Sequence, residues 1–265
     1  DAADAAALLE AARSPDLRPV PVKTVEQQQL QHLHRVREQL KSTRTGRINL
    51  LRGILREFGI AVPVGLARGR TAVREALEIA DNGLPDLLRP MIAETLQEIA
   101  AITERIARIE ATLAVLTRTD PVVQCLLELP GVGLLGASAL RAAVGDIQRF
   151  PTGRHFASWL GLTAREHSSA ETRRLGRISK QGDTYLRTLL VHGARSALCA
   201  AARAHSQGRP LDRLRLWALA TEQRRGRNKA TVALANKLAR IIWATWRYQR
   251  PFAGDWPARL EATSS

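Results

Sequence analysis

Between residues 165 and 180 the chain reads REHSSAETRRLGRISK, and Ser168 and Ser169 stand there among Arg165, Arg173, Arg174, Arg177 and Lys180. An arginine fork binds phosphate oxygens in pairs. A serine set among several such forks could attack a phosphodiester whose charge is already offset. His167 adjoins the serines and could accept the hydroxyl proton. A plainer reading fits the same residues, because loop serines commonly cap or hydrogen-bond the backbone. Upstream, Leu129-Pro130-Gly131-Val132-Gly133 separates two apolar segments, the arrangement of a helix-hairpin-helix. There Gly131 and Gly133 would let backbone N–H groups approach a phosphate without reading base sequence, and the alternative is an ordinary tight turn. Further on, Arg225, Arg227 and Lys229 precede an amphipathic segment and fit backbone contacts, while Trp243 and Trp246 fit a core. Asp1 and Asp4 are three apart, so on a helix they share a face and could ligate magnesium, although acidic helix starts are common for electrostatic reasons alone. His32 and His34 are two apart, point away from each other on a helix, and are set aside as ligands.

The charge is distributed to match. Residues 165–250 hold 19 Lys and Arg against 5 Asp and Glu, so they carry nearly all of the formal +15 of the 265-residue chain. Basicity confined to one third of a chain reads as an electrostatic footprint for nucleic acid. No apolar run is long enough to anchor in a membrane, and no secretory leader is recognisable. Cys125 and Cys199 are far apart without ligand partners and read as core residues of a reduced, cytoplasmic protein.

Composition rich in Ala and Leu and poor in aromatics predicts a mainly α fold. A helix is expected over residues 1–13, then a Pro-broken connection. Thr24 and Gln27 form a capping box for a long helix from Val25, whose stripe runs through Leu30, Leu33, Val36, Leu40, Leu51, Leu55 and Phe58 until Gly59 stops it. A loop over 60–70 and a short helix over 71–80 follow. A second long helix from Pro85 carries Ile92, Leu96, Ile99, Ile106, Ile109, Leu113 and Leu116 at near-heptad spacing. The pair predicts an antiparallel coiled-coil arm or a helical dimer surface, unless both helices pack on the chain's own core. Thr119-Asp120-Pro121 ends this part. Shorter helices are expected at about 122–128, 134–143, 152–159, 183–204, 211–222 and 228–249, with the basic segment around the serines as a polar loop and 251–265 as a tail.

Seven stretches together resemble one family: DAADAAAL at 1–8, VPVKTVEQQ at 20–28, LHRVREQL at 33–40, LPGVGLLGASAL at 129–140, GDIQRFPTGRHFASWLGL at 145–162, GRISKQGDTYLRTLLVHGAR at 176–195 and RNKATVALANKLARIIW at 227–243. They are spread along nearly the whole chain, from residue 1 to 243, and are similar to transposases of the one-hundred-and-ten class of insertion sequences. That resemblance implies a RuvC-like nuclease domain with an Asp-Glu-Asp-Asp magnesium site and a C-terminal domain with a catalytic serine. The two act between subunits to cut and rejoin DNA, and a structured non-coding RNA chooses the sites. Asp1 and Asp4 match the last two acids of the tetrad. The serine matches Ser169, with Ala170 where glycine is usual and Ser168 as the alternate.

On this reading residues 1–23 are the end of the nuclease domain, 24–120 the coiled-coil arm, 121–250 the serine domain and 251–265 a tail. The family's first Asp and its Glu lie upstream of Asp1, so the expectation is a fragment with no RuvC-like sheet and half a metal site. Such a chain binds no magnesium and is inactive alone. Its expected partners are DNA, the structured RNA and further copies of itself through the arm, in a bacterial cytoplasm at the nucleoid. Two other readings stay open: a catalytically dead nucleic-acid-binding remnant, and a helix-hairpin-helix protein that binds branched DNA.

Overall fold

The computed structural model describes residues 2–14, 21–169, 172 and 174–252. Its described residues are mainly helical, as the composition predicts. In chain order the helices are α1 (Ala2–Arg13), α2 (Val25–Glu57), α3 (Leu66–Glu78), α4 (Arg89–Thr117), α5 (Pro121–Leu127), α6 (Leu134–Val144) and α7 (Gly153–Trp159). Two short strands, β1 (Ala164–Glu166) and β2 (Leu175–Ile178), come next, followed by α8 (Thr184–Ser206), α9 (Arg213–Arg225) and α10 (Arg227–Tyr248). No helix among the described residues is long and apolar enough to cross a membrane. Helix α1 contributes no buried residue.

The long helix α2 starts where its cap dictates. Gln27 N donates to Thr24 Oγ1 at 3.3 Å and Thr24 N donates to Gln27 Oε1 at 3.0 Å, so two otherwise orphaned donors are satisfied. Partner numbers descend from Arg37–Glu110 to Arg47–Glu98, which makes α2 and α4 antiparallel. The seam buries Ile92, Ile99, Ile106 and Leu113, seven residues apart, and full burial of each stabilises by about 1.5–3 kcal/mol. Val36 and Leu116, counted in the stripes above, face solvent instead. Helix α3 begins at Leu66, five residues before the expected start. Gly69, which reads as a loop residue, is inside it because a Cβ there would come within 3.3 Å of the Ile48 side chain. The absence of a side chain lets α3 close on α2.

From α5 onward the helices enclose a second core that includes Leu140, Phe156, Leu186, Leu198, Leu238 and Ile242. Trp243 and Trp246 belong to it, and Trp243 Nε1 donates to Phe150 O at 2.9 Å, so both tryptophans are core residues as expected. A small cluster of Leu30, Leu113 and Ala142 joins the paired helices to α6.

The turn between α5 and α6 meets α8 glycine to glycine. Gly131 has φ +86°, and a Cβ on either Gly131 or Gly193 would overlap the other's carbonyl. Gly193→Ala is therefore expected to destabilise the fold by about 3 kcal/mol, since the backbones themselves must separate. Gly46→Ala, in the exposed middle of α2 with nothing within 4 Å, is expected to stabilise it by roughly 0.5–1 kcal/mol. Thermal unfolding of the two variants checks the opposite signs. A Gly193→Ala melting point equal to wild type would remove the close-approach explanation.

Candidate serine hairpin and nucleic-acid interface

The segment expected as a polar loop is an antiparallel hairpin, with Ala164 opposite Ile178, Glu166 opposite Leu175 and an irregularity between them. It has no buried face, so no alternating apolar pattern marks it in the sequence. An isolated two-stranded ribbon is marginal in water, and its anchorage therefore decides its orientation.

That anchorage lies at the root. Gly161 (φ +69°) and Gly182 (φ +117°) sit where the two strands leave the helical body. A Cβ on Gly161 would overlap the Gln181 carbonyl, and one on Gly182 would overlap that of Trp159. Backbone bonds from Lys180 N to Gly161 O (3.1 Å) and Ser179 N to Thr163 O (2.8 Å) close the root. Beneath it Arg187 is buried with no acidic partner among the described residues. Its guanidinium donates to Leu160 O at 3.3 Å, Gly182 O at 3.5 Å and Thr184 Oγ1 at 3.1 Å, so one side chain on α8 holds both strand roots. Neither the two glycines nor Arg187 was singled out by sequence. Their signal is contact between segments about twenty residues apart, which local spacing does not carry.

Toward the tip, His167 N donates to Arg174 O at 2.8 Å, and Ser169 and Thr172 exchange backbone bonds at 3.2 and 3.0 Å. Strand alternation then sets Arg165, His167 and Ser169 on one face with Arg174, and Glu166 and Ser168 on the other. The serines differ in chemistry as well as in face. Ser168 Oγ donates to Glu166 Oε1 at 2.7 Å and accepts from Arg174 N at 3.1 Å, so it ties the two strands together. Ser169 is exposed, and its hydroxyl has no partner among the described residues. The His167 ring lies over Gly176, where a Cβ would come within 3.3 Å of it. Arg165 donates to Ser179 O at 3.1 Å, while Arg174, Arg177 and Lys180 are exposed along the ribbon. Arg173 and Ala170 lie outside the described residues.

The remaining candidates are spread more widely. Gly131 faces α8, which accounts for it by packing; Gly133 opens to solvent at the N-cap of α6. Arg225, Arg227 and Lys229 are exposed around the α9–α10 corner. Cys199, expected in the core, is exposed on α8, and its Sγ accepts from Arg227 Nη2; Cys125 is half-buried. The reason is register: Leu198 and Ala201 face the core, and Cys199 falls on the other side of α8. Asp1 lies outside the described residues, and Asp4 is exposed on α1. Among the described residues no three His, Cys, Asp or Glu converge, so they do not form a magnesium site by themselves.

His34, set aside as a ligand by its spacing from His32, has a structural place that spacing does not carry. Its ring is buried between α2, α6 and α8, at the edge of a cleft of about 590 Å³. Ser138 Oγ donates to Leu134 O at 2.6 Å, so it must accept from His34 Nε2 at 3.0 Å; Nδ1 then accepts from Tyr185 Oη at 2.9 Å. Burial, reinforced by Arg37, pulls the imidazole down to about 4, and burial pushes the Tyr185 hydroxyl up to about 12. Both groups are therefore neutral across the physiological range, as the bonding direction requires. Tyr185 is the second residue of α8, close to the hairpin root, so this network joins the paired helices to the element that carries the hairpin.

Residues 123–209, from α5 to just past α8, match the model of the IS116/IS110/IS902 transposase family. The chain is 45% identical over 249 residues to a probable family 20 transposase of Pseudomonas aeruginosa, covering 92% of this chain and 71% of that protein. It is 40% identical over 243 residues to the putative transposase y4pF/y4sB of Sinorhizobium fredii, covering 92% of this chain and 61% of that one. To the transposase for insertion sequence element IS1111A of Coxiella burnetii it is 38% identical over 252 residues, covering 95% and 68%.

Proposed function

The chain belongs to the IS116/IS110/IS902 family of insertion-sequence transposases, and from that premise we propose that it serves DNA strand exchange with Ser169 as the nucleophile. The observation that carries this reading is the division of labour between the serines: Ser168 is spent on holding the hairpin, whereas the exposed Ser169 hydroxyl has no partner among the described residues. In the step this implies, Ser169 Oγ attacks a backbone phosphorus. A P–O bond to one deoxyribose breaks as the serine–phosphate bond forms, and the leaving sugar oxygen takes up a proton. Attack by the hydroxyl of a second strand reverses the exchange and frees the serine. One phosphodiester is made for each one broken, so no energy source is consumed. His167 shares the Ser169 face and could shuttle the proton, while Arg165 and Arg174 on that face offset phosphate charge.

Within this reading Lys180, Arg177 and Arg173 hold the DNA backbone around the scissile bond, and Arg225, Arg227, Lys229 and Gly133 take further phosphates. Asp1 and Asp4 would contribute carboxylates to magnesium, whose charge would offset that developing on a phosphate under attack. A structured RNA supplies site choice, and the α2–α4 pair supplies contact between copies. The test is covalent capture. The element's transposase, incubated with a nicked donor DNA that cannot be religated and then digested, should yield a peptide bearing a phosphate-linked deoxynucleotide on Ser169. The adduct on any other residue would refute the assignment.

A further inference from the structure

A second cationic cluster lies beside the hairpin root, on the helices that pack next to it. Residues 147–165 and 223–254 contain no Asp or Glu, and α7 and α10 come from those stretches. The two helices pack so closely that a Cβ on Gly153 would come within 3.1 Å of Arg240 Cα and 3.2 Å of its Cβ. Arg154, the next residue, is thereby brought beside Arg240. Lys237 stands one turn earlier on α10, its Nζ 4.2 Å from the centroid of the Trp217 ring on α9. Asn236 Nδ2 donates to Leu162 O at 3.1 Å, which fixes this part of α10 to the chain just before β1.

The three cations have no carboxylate partner among the described residues. Burial and Arg240 shift Lys237 toward its neutral form; burial and Arg154 do the same to Arg240. Like charges gathered this way repel one another; the Trp217 ring offsets part of that at Lys237, and no carboxylate among the described residues offsets the rest. An anion bound from outside would.

We propose that Arg154, Lys237 and Arg240 form a second contact for a nucleic-acid phosphate backbone, continuing the strand path from the hairpin onto the α7–α10 face. This inference rests on the reading that the hairpin engages nucleic acid. A backbone fits better than a small anion because the cluster is open and spans two helices. It also neighbours the hairpin, because Asn236, next to Lys237, is bonded to Leu162 O just before the strand that carries Arg165. A polyanion with evenly repeated charge can engage both groups at once.

The test is equilibrium binding of the full chain to a labelled duplex DNA and to a single-stranded RNA of equal length, between about 50 and 200 mM salt. The variant is Arg154→Gln/Lys237→Gln/Arg240→Gln. Its charge-matched control is Arg105→Gln/Arg108→Gln/Arg118→Gln, at exposed positions on and just after α4. The first variant is expected to flatten the slope of log affinity against log salt by about two to three, and the control by less than about one. Flattening on the duplex alone assigns the cluster to DNA, and flattening on the single strand alone assigns it to RNA; either supports the proposal. Equal slopes for variant and control, with wild type binding normally, overturn it while leaving the hairpin reading intact. Failure of wild type to bind either probe overturns both. Should the triple variant misfold, Arg154→Gln alone, at an exposed position, is expected to lower the slope by about one.

Discussion

Replacing Ser169 by Ala is expected to reduce strand exchange by at least about a thousandfold, because a covalent intermediate cannot form without the attacking oxygen. Binding and thermal stability should stay at wild-type levels, since the hydroxyl has no partner among the described residues to lose. Ser168→Ala should divide its effects differently, with a small loss of stability and little loss of activity. It removes the bond to Glu166 and the acceptor for Arg174 N, in an exposed ribbon where such bonds contribute about 1 kcal/mol or less. Strand exchange should then fall by no more than roughly fivefold, through looser positioning of the tip rather than lost chemistry. An excision assay driven by the element's transposase, with electrophoretic binding run alongside, separates the two effects. If Ser168→Ala were the dead variant and Ser169→Ala the active one, the Glu166–Ser168 pair would have to be the reacting unit. The assignment made here would then fall.

The helices were legible because their information is local. The Thr24–Gln27 box makes both of its bonds, Asp120 caps α5 through Val122 N and Val123 N, and the sevenfold spacing of Ile92, Ile99, Ile106 and Leu113 is buried throughout. The serines and the cations around them stand out in the sequence because dense arginine beside paired hydroxyls is a compositional signal, and the role proposed for them awaits the capture experiment. What sequence missed is non-local. The hairpin lacks a buried face and therefore a period of two. The glycines that orient it do so through contacts such as Gly161 with Gln181, and Gly131 with Gly193, which no spacing rule contains. His34 was set aside because its neighbour His32 points away, which is true on a helix. Its partners are instead Ser138 and Tyr185, 104 and 151 residues along the chain.

The largest pH effect on stability should come from that histidine. Its folded-state value of about 4 lies below the ordinary 6.5, so the unfolded chain takes up a proton that the fold excludes. Above pH 6.5 both states are neutral and the group adds no slope. As pH falls from 6.5 toward 4 the unfolded state is favoured progressively, and the accumulated loss is about 3 kcal/mol. His34→Gln keeps a donor for Ser138 Oγ but cannot titrate. At pH 7 it should be less stable than wild type by roughly 1–3 kcal/mol, because Tyr185 Oη loses its acceptor and the ring's packing is lost. With no proton to exclude, the variant lacks this component of the acid slope. Denaturant midpoints of the two proteins, measured from pH 7 to pH 4, should therefore converge and meet near the acid end. Parallel curves would mean that His34 is accessible to protons in the folded state. The neutral Tyr185–His34–Ser138 chain would then not be what holds α2 against α6 and α8, and that contact would rest on the apolar junction that includes Leu30, Leu113 and Ala142.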